Sequence, residues 1–197
     1  MSTGQYGRQE YWEERYMNKK EGFDWYQGWD GIKDIITQFI STEFAVLHAG
    51  CGSSKIPFEM QNEGYKNITN CDFSRILIED MLASQGENNM QWHIKDVKTM
   101  DYPNGSFNAV IEKGLLDSIL CGDRSRIMAQ RMLNQVHRVL TQGGIYISIT
   151  HAKPDDRIRY FDEAIWKIKH FKVSKPRISS MPGEEEGLHY AYVCIKK

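Results

Sequence analysis

Two glycines and an aspartate carry the spacing that α/β proteins use to hold a nucleoside. Gly50 and Gly52 follow a short apolar run. Glycines between a strand and a helix let the backbone approach a ligand closely, and the helix N-terminus offers N–H groups to a carboxylate or phosphate. Asp72 lies about 20 residues further on, where a carboxylate can accept hydrogen bonds from both ribose hydroxyls. These positions predict a nucleoside site.

A second acidic residue extends this site toward an adenine. Asp96 ends the next apolar run, where its carboxylate can accept from an exocyclic amine while the N–H of Val97 donates to a ring nitrogen. A pyrophosphate would need more glycine and more positive charge near the turn, yet Ser54 stands in place of a third glycine. The pattern therefore favours S-adenosylmethionine over NAD.

The elements that position these residues alternate between strands and helices. Helices are expected from Ser53 to about Glu63, from Ser74 onward and from Arg124 to Leu140, with Gly143 and Gly144 ending the last one. Their apolar faces are expected to contain Ile76, Leu77, Met81 and Leu82 in one helix, and Ile127, Met128, Met132, Leu133, Val136 and Leu140 in the other. The strands are expected at Phe44–Ala49, Ile68–Cys71, Met90–Ile94, Phe107–Glu112, Ile145–Thr150, Ile165–Val173 and His189–Ile195, the last two joined by a loop at Pro182–Gly187. This alternation predicts βαβ units on a parallel sheet.

An unusually aromatic segment precedes the first strand. Helices are predicted at Gln9–Tyr16 and Ile32–Ile40, on either side of Phe23–Tyr26. Aromatic faces attract a sulfonium and exclude water from it, so the aromatic side chains are expected to form a lid over the cofactor. The alternative is that they only fasten the N-terminal segment to the core.

Composition indicates an ordinary globular protein. The 197 residues suit a single domain with an N-terminal lid (1–40), a cofactor-binding core (44–150) and C-terminal strands (151–197). A formal net charge of -1 without a long basic run argues against nucleic acid. The four cysteines form no CxxC pair, so no metal site is expected. A polar N-terminus and the lack of a long apolar stretch predict a cytoplasmic protein that is not in a membrane.

On these residues the chain resembles the methyltransferase-like proteins related to the lysine methyltransferases of translation elongation factor one-alpha. The resemblance runs from about Tyr11 to Thr150, with a weaker match at His189–Lys197. The matching segments are Glu10–Tyr16, Phe23–Tyr26, Val46–Gly52, Asp72–Ser74, Lys95–Val97 and Glu112–Asp117. It implies an α/β fold: a Rossmann-like, seven-stranded, mostly parallel sheet with helices on both faces and an antiparallel last strand.

The resemblance also implies roles for individual residues. Trp12, Tyr16 and Trp25 would fold over S-adenosylmethionine, and Gly50 would line its methionine end. Asp72 and Phe73 would hold the ribose and flank the adenine. Asp96 and Val97 would contact the adenine, and Lys113 would lie close to the cofactor.

Two departures from the family bear on activity. His48 stands where many such enzymes carry an acidic residue, and Leu115 stands where the family usually has threonine. We expect transfer of methyl groups to a protein lysine, with Glu112 or Asp117 orienting the amine while bulk water takes its proton. The alternatives are a small-molecule methyltransferase and a noncatalytic binding subunit on the same fold.

Overall fold

A central sheet and its flanking helices make up the part of the chain that this computed structural model describes, residues 3–18, 22–86, 88–175 and 187–197. The strands are β1 (Ala45–Ala49), β2 (Asn67–Asp72), β3 (Gln91–Ile94), β4 (Phe107–Lys113), β5 (Leu140–Thr150), β6 (Trp166–Ser174) and β7 (Leu188–Lys196). The helices are α1 (Gln9–Asn18), α2 (Lys33–Phe39), α3 (Ile56–Asn62), α4 (Arg75–Ser84), α5 (Leu115–Leu120), α6 (Ser125–Val139) and α7 (Pro154–Arg157). Single 3-10 turns lie at Thr3–Gly7, Trp29–Gly31 and Ile158–Tyr160.

The strand order is β3-β2-β1-β4-β5-β7-β6. The β1 strand pairs in parallel with both β2 and β4, while β7 runs antiparallel to β5 and β6. The predicted seven-stranded, mostly parallel sheet with an antiparallel last strand is confirmed. Strand order reverses between β1 and β4, and ligands bind beyond the carboxyl ends of the strands at such a point.

Helices cover both faces of the sheet, as predicted. Successive residues of a strand point to opposite faces, and the neighbours Val46 and Leu47 belong to different clusters of buried side chains. Val46 shares its cluster with residues of α2, α3 and α4, whereas Leu47 shares its cluster with residues of α6. The short apolar run of β1 is explained by this burial on both sides.

Some predicted boundaries and faces are wrong. The α6 helix ends at Val139 and β5 begins at Leu140, so Gly143 and Gly144 lie inside the strand rather than before it. Gly143 has φ +72, and the pairing of β4 with β5 shifts register between Phe107 and Ala109. A glycine in a strand is compatible with such an irregularity, which strand and helix periodicity do not reveal.

Two side chains predicted to face the core are exposed. Leu82 is 49% exposed and Ile127 is 55% exposed. Ile78 and Ala129 are buried in these helices, because the core-facing stripes are rotated from the apolar pattern. The α5 helix has only 6 residues, too few for a periodic signal, and it was not predicted.

Two further expectations concern the loop before the last strand and a membrane-spanning segment. Residues 182–186 of the expected loop lie outside the described residues. Within the described ranges, no helix has both the length and the apolar character needed to cross a membrane.

Ser74 joins the start of α4 to the N-terminal helix. Its Oγ accepts a hydrogen bond from the N–H of Leu77 (3.3 Å) and donates one to Glu13 Oε2 (2.8 Å). An oxygen at this position satisfies a backbone donor that the helix itself cannot pair. Ser74 therefore both begins α4 and fastens α1 to it.

We expect Ser74→Ala to lower the free energy of unfolding by about 1 kcal/mol, since it removes the helix cap. Urea unfolding measures this change. Ser84→Ala, at the other end of α4, is the control and should have a smaller effect, because the Ser84 hydroxyl donates to the carbonyl of Met81 in the same helix instead of accepting from an N–H group of the first turn. Equal stability of Ser74→Ala and wild type would contradict the assigned cap.

Candidate active site

A cavity lies beyond the carboxyl ends of β1, β2 and β4, and the N-terminal segment covers it. The structure brings most of the predicted site residues to this one cavity. Those that line it are Trp12, Tyr16, Trp25, Gly50, Gly52, Asp72, Phe73, Lys113 and Asp117. Residues far apart in sequence therefore share one surface, as the strand-end argument predicts.

The glycine turn after β1 has a backbone that favours glycine at both positions. Gly50 has φ +58 and Gly52 has φ +52, in the left-handed region. A Cβ on Gly50 would lie 2.7 Å from Cδ1 of Leu115. Leu115, the residue that departs from the family pattern, thus packs directly against the turn.

Asp72 closes the turn from the next strand. Its Oδ2 accepts from the N–H of Gly52 and its Oδ1 from the N–H of Ser74, both at 3.1 Å. Burial raises the pKa of this carboxyl to about 6, although the hydrogen bonds from Ser74 and Gly52 oppose the shift. Carboxylate oxygens accept more than one hydrogen bond each, so Asp72 can still accept from a ligand.

Aromatic rings of the N-terminal segment form another part of the cavity wall. The rings of Trp12 and Tyr16 stack with centroids 6.0 Å apart, and Trp12 meets Trp25 edge-on at 6.1 Å. The indole Nε1 of Trp12 donates to the carbonyl of Tyr6 (2.7 Å). Burial, and secondarily the charge of Asp72, raise the pKa of Tyr16, so its hydroxyl keeps its proton.

Asp24, which the sequence reasoning missed, binds the N-terminal segment to the core. Its carboxylate accepts from Ser54 Oγ and from the N–H of Lys55 (3.2 Å). It also forms an ion pair with Lys113 Nζ at 3.2 Å. Asp24 lies inside the aromatic segment Phe23–Tyr26, where an acidic residue among aromatics is the signal that could have indicated it.

The start of α3 differs from the expectation for an anion site. The helix begins at Ile56 rather than near Ser53, and the N–H of Ile56 donates to Ser54 Oγ (3.2 Å). The protein's own Asp24 and Ser54 therefore occupy donors that were expected to face a ligand. The prediction that this helix begins at Ser53 is wrong by three residues, because Lys55 is the N-cap and Ile56 is the first helical residue.

Lys113 and His48 are two buried basic residues of the cavity. Lys113 is buried, and its Nζ donates to the carbonyl of Trp25 (2.8 Å). Burial lowers the pKa of Lys113, with Asp24 acting in the opposite direction. Burial, followed by the charge of Lys113, lowers the pKa of His48 to about 4, so its ring is neutral at pH 7. Within the described part of the chain, Nδ1 of His48 has no hydrogen-bond partner although His48 lines the cavity.

Asp117 anchors a second polar cluster at the cavity wall. It accepts from Thr150 Oγ1 (2.7 Å), from His151 Nδ1 (3.2 Å) and from Arg157 Nη2. Burial raises the pKa of Asp117, but the hydrogen bonds from His151 and Thr150 and the charge of Arg157 outweigh it, so the net shift is downward. The hydroxyl of Tyr26 lies 3.1 Å from the same His151 Nδ1.

Three predicted site residues do not line the cavity. Glu112 is fully buried beside it, and its Oε2 accepts from the N–H groups of Leu115 (2.8 Å) and Leu116 (3.3 Å). Asp96 pairs with Lys98, with 2.8 Å between Oδ1 and Nζ. Val97 is buried in the core cluster that contains Leu47. Within the described residues, no group of three or more acidic, histidine or cysteine side chains could hold a metal ion.

Comparisons with known proteins identify the family of this chain. Residues 47–148 match a family described as a methyltransferase domain. The chain is 30% identical to mouse EEF1A lysine methyltransferase 4 over 206 residues, covering 98% of this chain and 76% of that protein. It is 28% identical to human eEF1A lysine and N-terminal methyltransferase, covering 94% of this chain and 28% of that protein.

Solved structures show the same fold. An S-adenosylmethionine-dependent methyltransferase from Methanosarcina mazei aligns with TM-score 0.65 and 15% identity, covering 88% of this chain and 99% of that one. Magnesium protoporphyrin IX methyltransferase from Synechocystis, solved with bound S-adenosylmethionine, aligns with TM-score 0.63 and 12% identity, covering 85% and 79%.

Burial raises the pKa of Glu112 from its ordinary value of 4.5 to about 7. The stabilisation from this group is complete below pH 4.5 and is lost as pH rises through about 7. In Glu112→Gln the side chain no longer titrates, and its amide nitrogen cannot accept hydrogen bonds from the backbone N–H groups that Glu112 binds. We expect it to cost about 1–3 kcal/mol of unfolding free energy at low pH, with the difference from wild type shrinking as the pH rises.

Urea unfolding on both sides of neutral pH measures this difference. The exposed Glu79→Gln serves as the control, because Glu79 lies on the helix surface and pairs there with Arg75 at 3.5 Å. A difference that grows with pH would show that Glu112 is ionised throughout.

Proposed function

We propose that this chain, which belongs to the methyltransferase domain family related to the eEF1A lysine methyltransferases, methylates a lysine side chain of a protein such as translation elongation factor one-alpha. The chain is an S-adenosylmethionine-dependent methyltransferase. Likeness to mouse EEF1A lysine methyltransferase 4 over 98% of the chain supports the lysine acceptor most directly.

The cavity residues fit S-adenosylmethionine in chemistry. Asp72 offers carboxylate oxygens to the ribose hydroxyls, and the glycine turn lets backbone approach the methionine end. Phe73 flanks the adenine, and Trp12, Tyr16 and Trp25 give apolar faces that suit a sulfonium. His48, whose buried Nδ1 has no hydrogen-bond partner among the described residues, also lines this cavity. When bound, the cofactor supplies a methyl group activated by the positive sulfur.

Asp96 and Val97 remain proposed adenine contacts. They follow β3, the neighbour of β2, and the N–H of Lys95 donates to the carbonyl of Asp72 (2.8 Å). The loop that carries Asp96 is therefore held beside the ribose site. Its carboxylate is partly exposed, so it can turn toward a bound adenine.

On the acceptor side, we assign different roles to the two carboxylates. Asp117 lines the cavity, and Arg157 and His151 pair with its carboxylate and hold it in place. A carboxylate oxygen fixed in this way can accept a hydrogen bond from a lysine amine and orient it, while bulk water takes the proton. Glu112 does not reach the cavity and acts as a positioning residue that holds the first N–H groups of α5. The aromatic wall excludes water from the reacting atoms, and orientation supplies most of the rate enhancement.

A methylation assay with elongation factor one-alpha tests the acceptor. Purified substrate is incubated with this protein and S-adenosylmethionine carrying an isotopically labelled methyl group, and mass spectrometry locates the label. We expect it on a lysine. A parallel incubation uses a cell extract in place of the purified substrate. Label in a small molecule of that extract, with none on a protein, would favour the small-molecule alternative. Cofactor binding without any methyl transfer would favour the noncatalytic alternative.

We expect Asp117→Asn to lower kcat roughly 10- to 100-fold, because the acceptor amine loses a carboxylate oxygen that orients it, while the Kd for S-adenosylmethionine is unchanged. The control is Asp156→Asn on the exposed surface of α7. An unchanged kcat in Asp117→Asn would remove this residue from the acceptor site.

We expect Asp72→Asn to weaken binding of S-adenosylmethionine roughly 10- to 100-fold, because one acceptor oxygen is replaced by a donor facing backbone N–H groups. Wild-type affinity should fall as pH decreases through about 6, where the Asp72 carboxyl becomes protonated. Calorimetry at several pH values measures both effects, with the exposed Asp123→Asn as control. Affinity that is independent of pH in wild type would contradict the ribose contact.

A further inference from the structure

The donors at the glycine turn do not provide an obvious site for a carboxylate. The N–H of Gly52 is taken by Asp72, that of Lys55 by Asp24 and that of Ile56 by Ser54 Oγ. Yet the methionine end of S-adenosylmethionine carries a negative carboxylate. Burying that charge without a partner is costly, so a positive group should lie at the same end of the cavity.

Among the described residues, the lysine and arginine side chains that line the cavity are Arg15 and Lys113. Lys113 is already paired with Asp24 at 3.2 Å and donates to the carbonyl of Trp25. Its charge is therefore compensated by the protein itself. Of these two side chains in the described part of the chain, Arg15 is the one that remains for a ligand.

Arg15 has a different environment. Its guanidinium carbon lies 5.4 Å from the ring centroid of Phe23 and 5.3 Å from that of Trp25. Its polar contact is with the hydroxyl of Tyr11 at 3.5 Å. Among the residues that the structure describes, no carboxylate lies within ion-pair distance of Arg15. Ring contacts hold the guanidinium plane but leave its charge uncompensated.

The position of Arg15 corresponds to the methionine end. The N–H of Phe23 donates to the carbonyl of Ser53 (3.1 Å) and lies 3.2 Å from its Oγ. Phe23 is thus fixed against the glycine turn, and Arg15 lies over Phe23. A planar guanidinium can bind a carboxylate through two parallel N–H bonds.

We propose that Arg15 binds the carboxylate of the methionine part of S-adenosylmethionine and thereby makes the enzyme specific for the carboxylated cofactor. Arg15 is then a cofactor-binding residue, and the aromatic segment has a second task besides covering the sulfonium. Phe23 and Trp25 hold the guanidinium in place for the carboxylate. This role does not depend on the identity of the methyl acceptor.

Calorimetry with two ligands tests the proposal. S-adenosylmethionine is compared with decarboxylated S-adenosylmethionine, which keeps the adenosine and the sulfonium but lacks the carboxylate. Each is titrated into wild type, Arg15→Met, Arg15→Lys and the control Arg131→Met, whose arginine lies exposed on α6. Methionine keeps much of the apolar contact of the arginine stem with the rings.

We expect Arg15→Met to weaken S-adenosylmethionine roughly 10- to 100-fold, the range for a lost hydrogen bond to a charged group, while the decarboxylated ligand binds wild type and variant alike. Arg15→Lys should retain part of the preference, and Arg131→Met should match wild type. Equal weakening of both ligands by Arg15→Met would overturn the proposal, since it would assign Arg15 to the packing of the aromatic wall. Unchanged binding of both ligands would also overturn it.

Discussion

The buried carboxylate of Asp72 is the interaction on which the site depends. It joins the glycine turn after β1 to the residue that caps α4, through hydrogen bonds to the N–H groups of Gly52 and Ser74. Ser74 in turn holds Glu13 of α1. One short chain of hydrogen bonds therefore sets the turn, the helix and the base of the aromatic lid. Burial raises the pKa of Asp72, because the charged carboxylate is less stable away from water. Ionisable groups with a shifted pKa are typical of functional sites.

A second network attaches the aromatic segment from the other side. Asp24 contacts Lys113 of β4 and the residues just before α3. The N-terminal segment is thus bound to two separate parts of the core by charged or polar groups, besides the contacts among its rings. The segment is therefore fastened to the core, and in that position it forms a wall of the cavity. That this wall covers a cofactor stays a prediction.

Sequence periodicity was sufficient for the strands of the sheet, and motif spacing for the glycine turn and Asp72, whereas the roles of the aromatic residues and Lys113 were implied by the family resemblance. The apolar run of β1, the glycines after it and the Asp at the end of β2 are local signals, and the topology of parallel strands brings them together. Asp24 and His151 were missed because their roles arise from contacts with residues distant in sequence, Lys113 for the first and Asp117 for the second.

The role assigned to Glu112 shows a different limit. The sequence places Glu112 and Asp117 close to each other, but strand alternation and the turn at Gly114 separate them. Glu112 points into the core, where Ser148 and Tyr146 meet it, while Asp117 lies at the cavity. Side-chain direction at the end of a strand cannot be read from residue type, because an acidic residue there is usually assumed to face solvent.

A crystal structure of the protein with S-adenosylhomocysteine, the product of methyl transfer, tests the central claim most directly. We expect the ribose hydroxyls within hydrogen-bond distance of the Asp72 carboxylate and the sulfur beneath the rings of Trp12, Tyr16 and Trp25. A ligand bound elsewhere, or one in this cavity with its ribose turned away from Asp72, would contradict the account.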